Sequence, residues 1–242
     1  MTQLQRQDIE YFHDGVRMVG AFRSPANDGR SRPGVLVVHG AGGLNEHVIG
    51  CAERIAALGY AVLAIDLWGD RRLLTNPADI GPMLGRFAGD RGLWMGRFEA
   101  ARVALASQPG VDEARIGAVG YCFGGATVLE HVRTAGRLQG VVSFHGGLDL
   151  VADDWSSAGR GTAVLICTGA EDPMAKPADL DRVQHAMTGA GIRWEADLYS
   201  HAKHAFTEPD RPGMPPFAAY DARADRRSWN AMRSFFEEVF AG

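Results

Sequence analysis

The sequence has no apolar run approaching the roughly 20 residues a membrane-spanning helix needs. Its opening residues, MTQLQRQDIE, hold no apolar core. Neither a membrane partner nor a secretory leader is expected. Cysteine is scarce: only Cys51, Cys122 and Cys167 occur, with no C-x-x-C spacing. An odd, sparse set does not read as a disulfide framework, and no resolving partner stands ready for redox work. A cytoplasmic, reducing setting fits that scarcity and would keep a thiol usable. Excess charge of either sign is also missing, with 25 Lys+Arg against 29 Asp+Glu and a formal net charge of -4. No basic stripe gathers on one face, so nucleic acid is not an expected partner. Repeats, low-complexity blocks and linker-like stretches are absent as well, and a single domain over residues 1–242 is expected.

What is present is a core. Hydrophobic residues make up 46% of 242 positions, enough for one sizeable interior. Short apolar runs, rich in β-branched residues, occur at 35–38, 61–65, 116–119, 141–144 and 163–167. Their continuity suits strands buried on both faces. Helical stretches fall between them, at about 46–58, 93–107, 124–135, 177–190 and 220–240. The alternation implies an α/β fold: a mostly parallel central sheet with helices on both faces. Segments 9–13 and 16–22, turned at Asp14-Gly15, read as an antiparallel hairpin. Residues 68–92 mix Trp68, Arg71, Arg72, Pro77, Pro82 and glycines. They read as a long loop with some helix, placed to cover a site.

One motif carries chemistry. The run at 116–120 leads into Gly120-Tyr121-Cys122-Phe123-Gly124-Gly125, and a helix follows. This is the G-x-nucleophile-x-G pattern of an α/β-hydrolase in its strand–turn–helix context. The nucleophile sits in a strained turn whose neighbours must be small. The turn also aims the sulfur at a helix N-terminus, where partial positive charge favours a thiolate. Cys51 and Cys167 lack such a frame and read as structural. Past the run at 163–167 lies Thr168-Gly169-Ala170-Glu171-Asp172-Pro173; Asp172 is the expected acid, with Glu171 its competitor. Past a run at 193–199 lies His201-Ala202-Lys203-His204-Ala205-Phe206; His204 is the expected base, with His201 its competitor. The chain order Cys, Asp, His is that of the fold. The Gly-rich His39-Gly40-Ala41-Gly42-Gly43 turn offers a backbone N–H, assigned to Ala41. The N–H of Phe123 would be the second oxyanion donor. No P-loop lysine accompanies these glycines, so phosphate binding is not expected.

These stretches resemble the dienelactone hydrolase (carboxymethylenebutenolidase) family, on G-Y-C-F-G-G at 120–125, the Gly169–Asp172 turn and His204-Ala205-Phe206. Leu58–Val62, Asp66-Leu67-Trp68 and the helix start at Tyr220-Asp221-Ala222 add to the likeness, which covers nearly the whole chain. The resemblance implies a metal-free, cofactor-free hydrolase opening a small-molecule lactone or ester through an acyl-cysteine, as a monomer or weak homodimer. Cys122, Asp172 and His204 match its triad, and Ala41 and Phe123 its oxyanion donors. Two positions depart. Where family members carry a Glu after the third strand, this chain has Gly40, preceded by His39. Activation of the thiol would then fall to His204, unless His39 or Glu46 reaches in. Where they carry a carboxylate-binding Arg after His-x-Phe, this chain has Thr207-Glu208, leaving Arg71, Arg72, Arg86 or Arg91 to substitute. Phe87, Trp68, Trp94, Phe123 and Phe206 either line a substrate pocket or pack the core. A non-catalytic ligand-binding or sensing protein on the same fold is the competing expectation.

Overall fold

The computed structural model describes residues 3–26 and 28–241. The chain divides into two compact units, residues 1–118 and 119–242. No linker marks the boundary, because it falls inside a strand, β5 (Val111–Tyr121). The strands β1 (Leu4–His13), β2 (Val16–Pro25), β3 (Arg32–Val38), β4 (Ala61–Ile65), β5, β6 (Gly140–Phe144), β7 (Ala163–Gly169) and β8 (Arg193–Tyr199) follow the sheet order β1-β2-β4-β3-β5-β6-β7-β8.

In the first unit, β1 and β2 form the expected hairpin, longer than its apolar core suggested, with His13 opposite Val16. Asp14 and Gly15 both have positive φ, 49° and 73°. A two-residue turn of that hand matches the twist of the strands it joins. Strand β2 pairs antiparallel with β4, and β4 pairs parallel with β3. Every residue of β4 is buried, which explains its unbroken apolar sequence. Helix α1 (Glu46–Ala56) starts at Asn45, whose side chain accepts from the Val48 N–H.

Residues 68–92 are more regular than a loop. Asn76 caps a helix, α2 (Pro77–Gly89), which opens on Pro77 and carries Pro82 on an exposed turn. Helix α3 (Arg91–Ala106) follows at once, capped by Asp90. Proline and glycine content pointed to loop, but Pro77 occupies the first helical position, where its missing N–H costs nothing.

In the second unit, β6, β7 and β8 pair in parallel. Helix α4 (Phe123–Arg133) is buried from Phe123 to Val132. Its Glu130 carboxylate is fully buried, paired with Arg133 at 2.9 Å and accepting the Ala152 N–H at 2.7 Å. Helices α5 (Pro177–Ala190) and α6 (Ala222–Val239) complete the unit. Among the described residues no helix is long and apolar enough to cross a membrane.

Candidate active site

Each chemically interesting side chain of the second unit lies just past the C-terminal end of a strand. Cys122 follows β5, and its backbone is held at φ 55°, ψ -114°. A non-glycine residue at positive φ is strained, and such strain persists only where the surroundings enforce it. Two contacts enforce it here. The Cys122 N–H is shared between the Phe144 carbonyl at 3.1 Å and the Nδ1 of His145 at 3.2 Å. The Cys122 carbonyl accepts the Gly125 N–H at 2.9 Å, starting α4. Gly120 is required by sterics, since a Cβ there would overlap the Gly124 carbonyl. The sulfur stands at the N-terminus of α4 and remains partly exposed.

Asp172 and His204 meet from the turns after β7 and β8. His204 Nδ1 donates to Asp172 Oδ2 at 2.8 Å, and both residues are only 4% exposed. The other Asp172 oxygen accepts the Met174 N–H at 2.8 Å, which fixes the carboxylate plane. The His204 backbone is clamped on both sides, its N–H to the Phe217 carbonyl and its carbonyl to the Ala219 N–H, each at 3.1 Å. With Nδ1 committed to Asp172, Nε2 is the atom left for chemistry. It is buried and has no well-aligned hydrogen-bond partner among the described residues. The Cys122 thiol is nevertheless close enough to act on the ring. Burial opposes the imidazolium, but the Cys122 charge and the hydrogen bond to Asp172 outweigh it, raising the His204 pKa to about 10. The competing pair is also formed, but outside: Glu171 and His201 approach at 3.3 Å with the His201 side chain 88% exposed. Solvent screening leaves such a contact little strength.

The sequence profile of the dienelactone hydrolase family matches residues 19–240. The chain belongs to the dienelactone hydrolase family. Among solved structures, it is similar to a dienelactone hydrolase-like promiscuous phosphotriesterase, P91, from metagenomic libraries, at 35% identity and TM-score 0.91, covering 98% of both chains. It is also similar to the structure called m3DLH, at 38% identity and TM-score 0.92, again over 98% of both chains. A Methylorubrum extorquens protein provisionally named carboxymethylenebutenolidase is 29% identical over 93% of this chain and 78% of its own length. The protein is therefore a hydrolase of the α/β-hydrolase fold.

For this dienelactone hydrolase relative, the structure sorts the remaining candidates. In the first unit, His39 is fully buried. Its Nδ1–H donates to the Gly40 carbonyl at 2.7 Å, and its Nε2 accepts the Leu67 N–H at 3.1 Å. With both nitrogens bonded inside the first unit, His39 acts as a strut, and neither nitrogen is spare for the thiol-activating role considered for it. Burial also lowers its pKa, keeping it neutral. Arg71 is similarly committed, donating to the Val19 carbonyl at 2.9 Å and to Asp8 at 2.6 Å. Arg86 lies exposed on α2. Trp68 is 5% exposed and donates its Nε1–H to the Ala41 carbonyl at 3.2 Å, while the Ala41 N–H makes no hydrogen bond among the described residues. Glu46 is an exposed first-turn acid of α1. Asp66, quoted only for its family likeness, is a buried hub that accepts the N–H groups of Val19, Gly69 and Arg71.

In the second unit, Phe206 is fully buried, edge-on to Tyr199 and His145, so it packs the core beneath His204. Phe123 is 1% exposed, with its backbone N–H at the positive end of α4. Cys167 is fully buried and its thiol pKa is pushed up by that burial, so it stays protonated. Cys51 is buried within α1. Sequence reasoning missed His145. The available signal was its place directly after β6 and before Gly146-Gly147, the same strand–His–Gly pattern as at His39-Gly40. Among the described residues no group of three His, Cys, Asp or Glu side chains is placed to hold a metal ion.

Proposed function

We propose that the protein hydrolyses small lactones or carboxylic esters through an acyl-enzyme on Cys122, with His204 and Asp172 completing a triad. The observation that carries this reading is the buried Asp172–His204 pair, whose uncommitted Nε2 neighbours a sulfur held in a strained turn. Burial opposes a charged ring, yet the neighbouring sulfur and carboxylate raise the His204 pKa to about 10, so the ring is held as imidazolium beside the sulfur at neutral pH. Activation then needs no carboxylate at position 40. The thiolate attacks the carbonyl carbon, and the carbonyl oxygen becomes an oxyanion. We assign one of its donors to the backbone N–H of Phe123, at the N-terminus of α4. The intermediate collapses, the C–O bond breaks, and the His204 Nε2 proton passes to the departing alkoxide. In a lactone that alkoxide stays tethered to the acyl group. Water then attacks the thioester while His204 takes its proton, and Cys122 leaves as thiolate with a carboxylic acid product. Asp172 holds the imidazole tautomer throughout and offsets its charge.

The likeness to a promiscuous phosphotriesterase supports a second substrate class for the same sulfur, activated phosphotriesters. Burst kinetics with an aryl ester, together with intact-protein mass spectrometry, test both classes. The expected result is a stoichiometric burst and an acyl or phosphoryl adduct on Cys122, both lost in Cys122→Ala. Full turnover by Cys122→Ala would overturn the reading, and so would stoichiometric binding without turnover across an ester and lactone panel.

A further inference from the structure

His145 sits between the two halves of the proposed machinery. It follows β6 directly, is fully buried, and adopts φ 37°, a left-handed backbone for a residue with a full side chain. Its own N–H is tied to the Cys167 carbonyl at 2.8 Å. Its Nδ1 lies 3.2 Å from the Cys122 nitrogen and accepts that N–H. A nitrogen that accepts cannot carry the proton, so in the neutral ring the proton is on Nε2. Nε2 lies 2.8 Å from Thr207 Oγ1, and the Nε2–H donates to it. The ring stands edge-on to His204, with centroids 5.3 Å apart at 72°, and edge-on to Phe206 at 5.2 Å and 82°. His204, Phe206 and Thr207 belong to one loop. A single imidazole therefore grips the cysteine turn on one side and the histidine loop on the other.

Resting on the acyl-cysteine reading, we propose that His145 is a positioning residue, setting the separation of the Cys122 sulfur and the His204 imidazole by bonding the Cys122 N–H and Thr207. Both turns it joins are strained, Cys122 at φ 55° and Ala205 at φ 56°. Strained turns relax when a restraint is removed. Without the ring nitrogens, the Cys122 N–H keeps only the Phe144 carbonyl, and the Thr207 hydroxyl loses its donor. The substrate does not touch His145 in this scheme, so the effect falls on the chemical step rather than on binding.

The test compares His145→Leu, His145→Asn and Thr207→Val by kcat, KM and the pH profile of Cys122 alkylation with iodoacetamide. His145→Leu is expected to lower kcat by roughly 100-fold, as a misplacement near 1 Å does, with KM little changed. Its alkylation profile moves toward that of His204→Ala. In His145→Asn, Oδ1 can accept the Cys122 N–H, and much of the lost kcat returns. Thr207→Val lowers kcat by a smaller factor, again with KM held. A folded His145→Leu protein with wild-type kcat and alkylation profile overturns the proposal, as does a His145→Asn protein no better than His145→Leu. If His145→Leu does not fold, Thr207→Val decides: unchanged kcat and profile would overturn the proposal. Alkylation needs no substrate, so it judges His145 even if Cys122→Ala retains turnover and the acyl-cysteine reading fails.

Discussion

Cys122 at φ 55° and ψ -114° needs its neighbours to be small, and Gly120 shows how little room there is. A Cβ at 120 would overlap the Gly124 carbonyl, which is backbone at the first turn of α4 and cannot swing aside as a side chain does. Gly120→Ala should therefore displace the turn and cost about 2–4 kcal/mol of stability, with a far larger loss of turnover. Urea unfolding and aryl-ester assays would read the two effects; a stable, active Gly120→Ala protein would show that the turn is looser than its geometry. At this scale the sequence was informative about Cys122, Asp172 and His204, because each sits in a local pattern tied to a strand end. It named Asp172 and His204 ahead of Glu171 and His201, but it could not show how differently the two pairs are buried. Both pairs form, and only burial separates them.

The elements are held at their ends. Helix α6 begins at Asp221, whose carboxylate accepts the N–H groups of Arg223 at 2.9 Å and Ala224 at 2.8 Å. Asp221 also donates its own N–H to the Phe206 carbonyl at 3.0 Å, so the cap is tied to the histidine loop. Asp221→Ala should cost about 1 kcal/mol, the usual worth of such a cap, measurable as a lowered denaturant midpoint with unchanged slope. An unchanged midpoint would mean that packing alone holds α6. Element positions were legible wherever composition was regular: the hairpin turned at Asp14-Gly15, and the strands at 61–65 and 163–167 fall at their expected places. Helix α2 was not legible as a whole, because Pro82 inside it reads as a breaker. On an exposed turn, the carbonyl freed by proline can bond water instead.

Across the whole molecule, pH should act on stability through His204. Its folded pKa of about 10, the balance of burial against the Cys122 charge and the Asp172 hydrogen bond, lies above the unfolded value of 6.5. A raised pKa means that the folded state holds the proton more tightly. The stabilisation is complete below pH 6.5 and is lost as pH climbs toward 10. The Tm of wild type relative to His204→Gln should therefore fall between pH 7 and pH 10 in scanning calorimetry. A constant difference across that range would show that the imidazolium is not favoured in the folded protein. The boundary between the two compact units could not be anticipated, because it lies within β5 and no change of composition marks it.

The sequence by itself determined the alternation of strands and helices, the strained cysteine turn, and the chain order of Cys122, Asp172 and His204 at successive strand ends. These are local properties: residue volume, backbone preference and spacing along a strand end. Tertiary structure alone decided that the Asp172–His204 pair is buried while the Glu171–His201 pair stays in solvent. It also buried His39 with both ring nitrogens bonded, and it brought His145 between Cys122 and Thr207. Those outcomes depend on which polar groups are buried together, and an isolated stretch of sequence does not carry that information. Cys122 was identifiable from six residues, but the ring that holds its backbone comes from the next strand of the sheet.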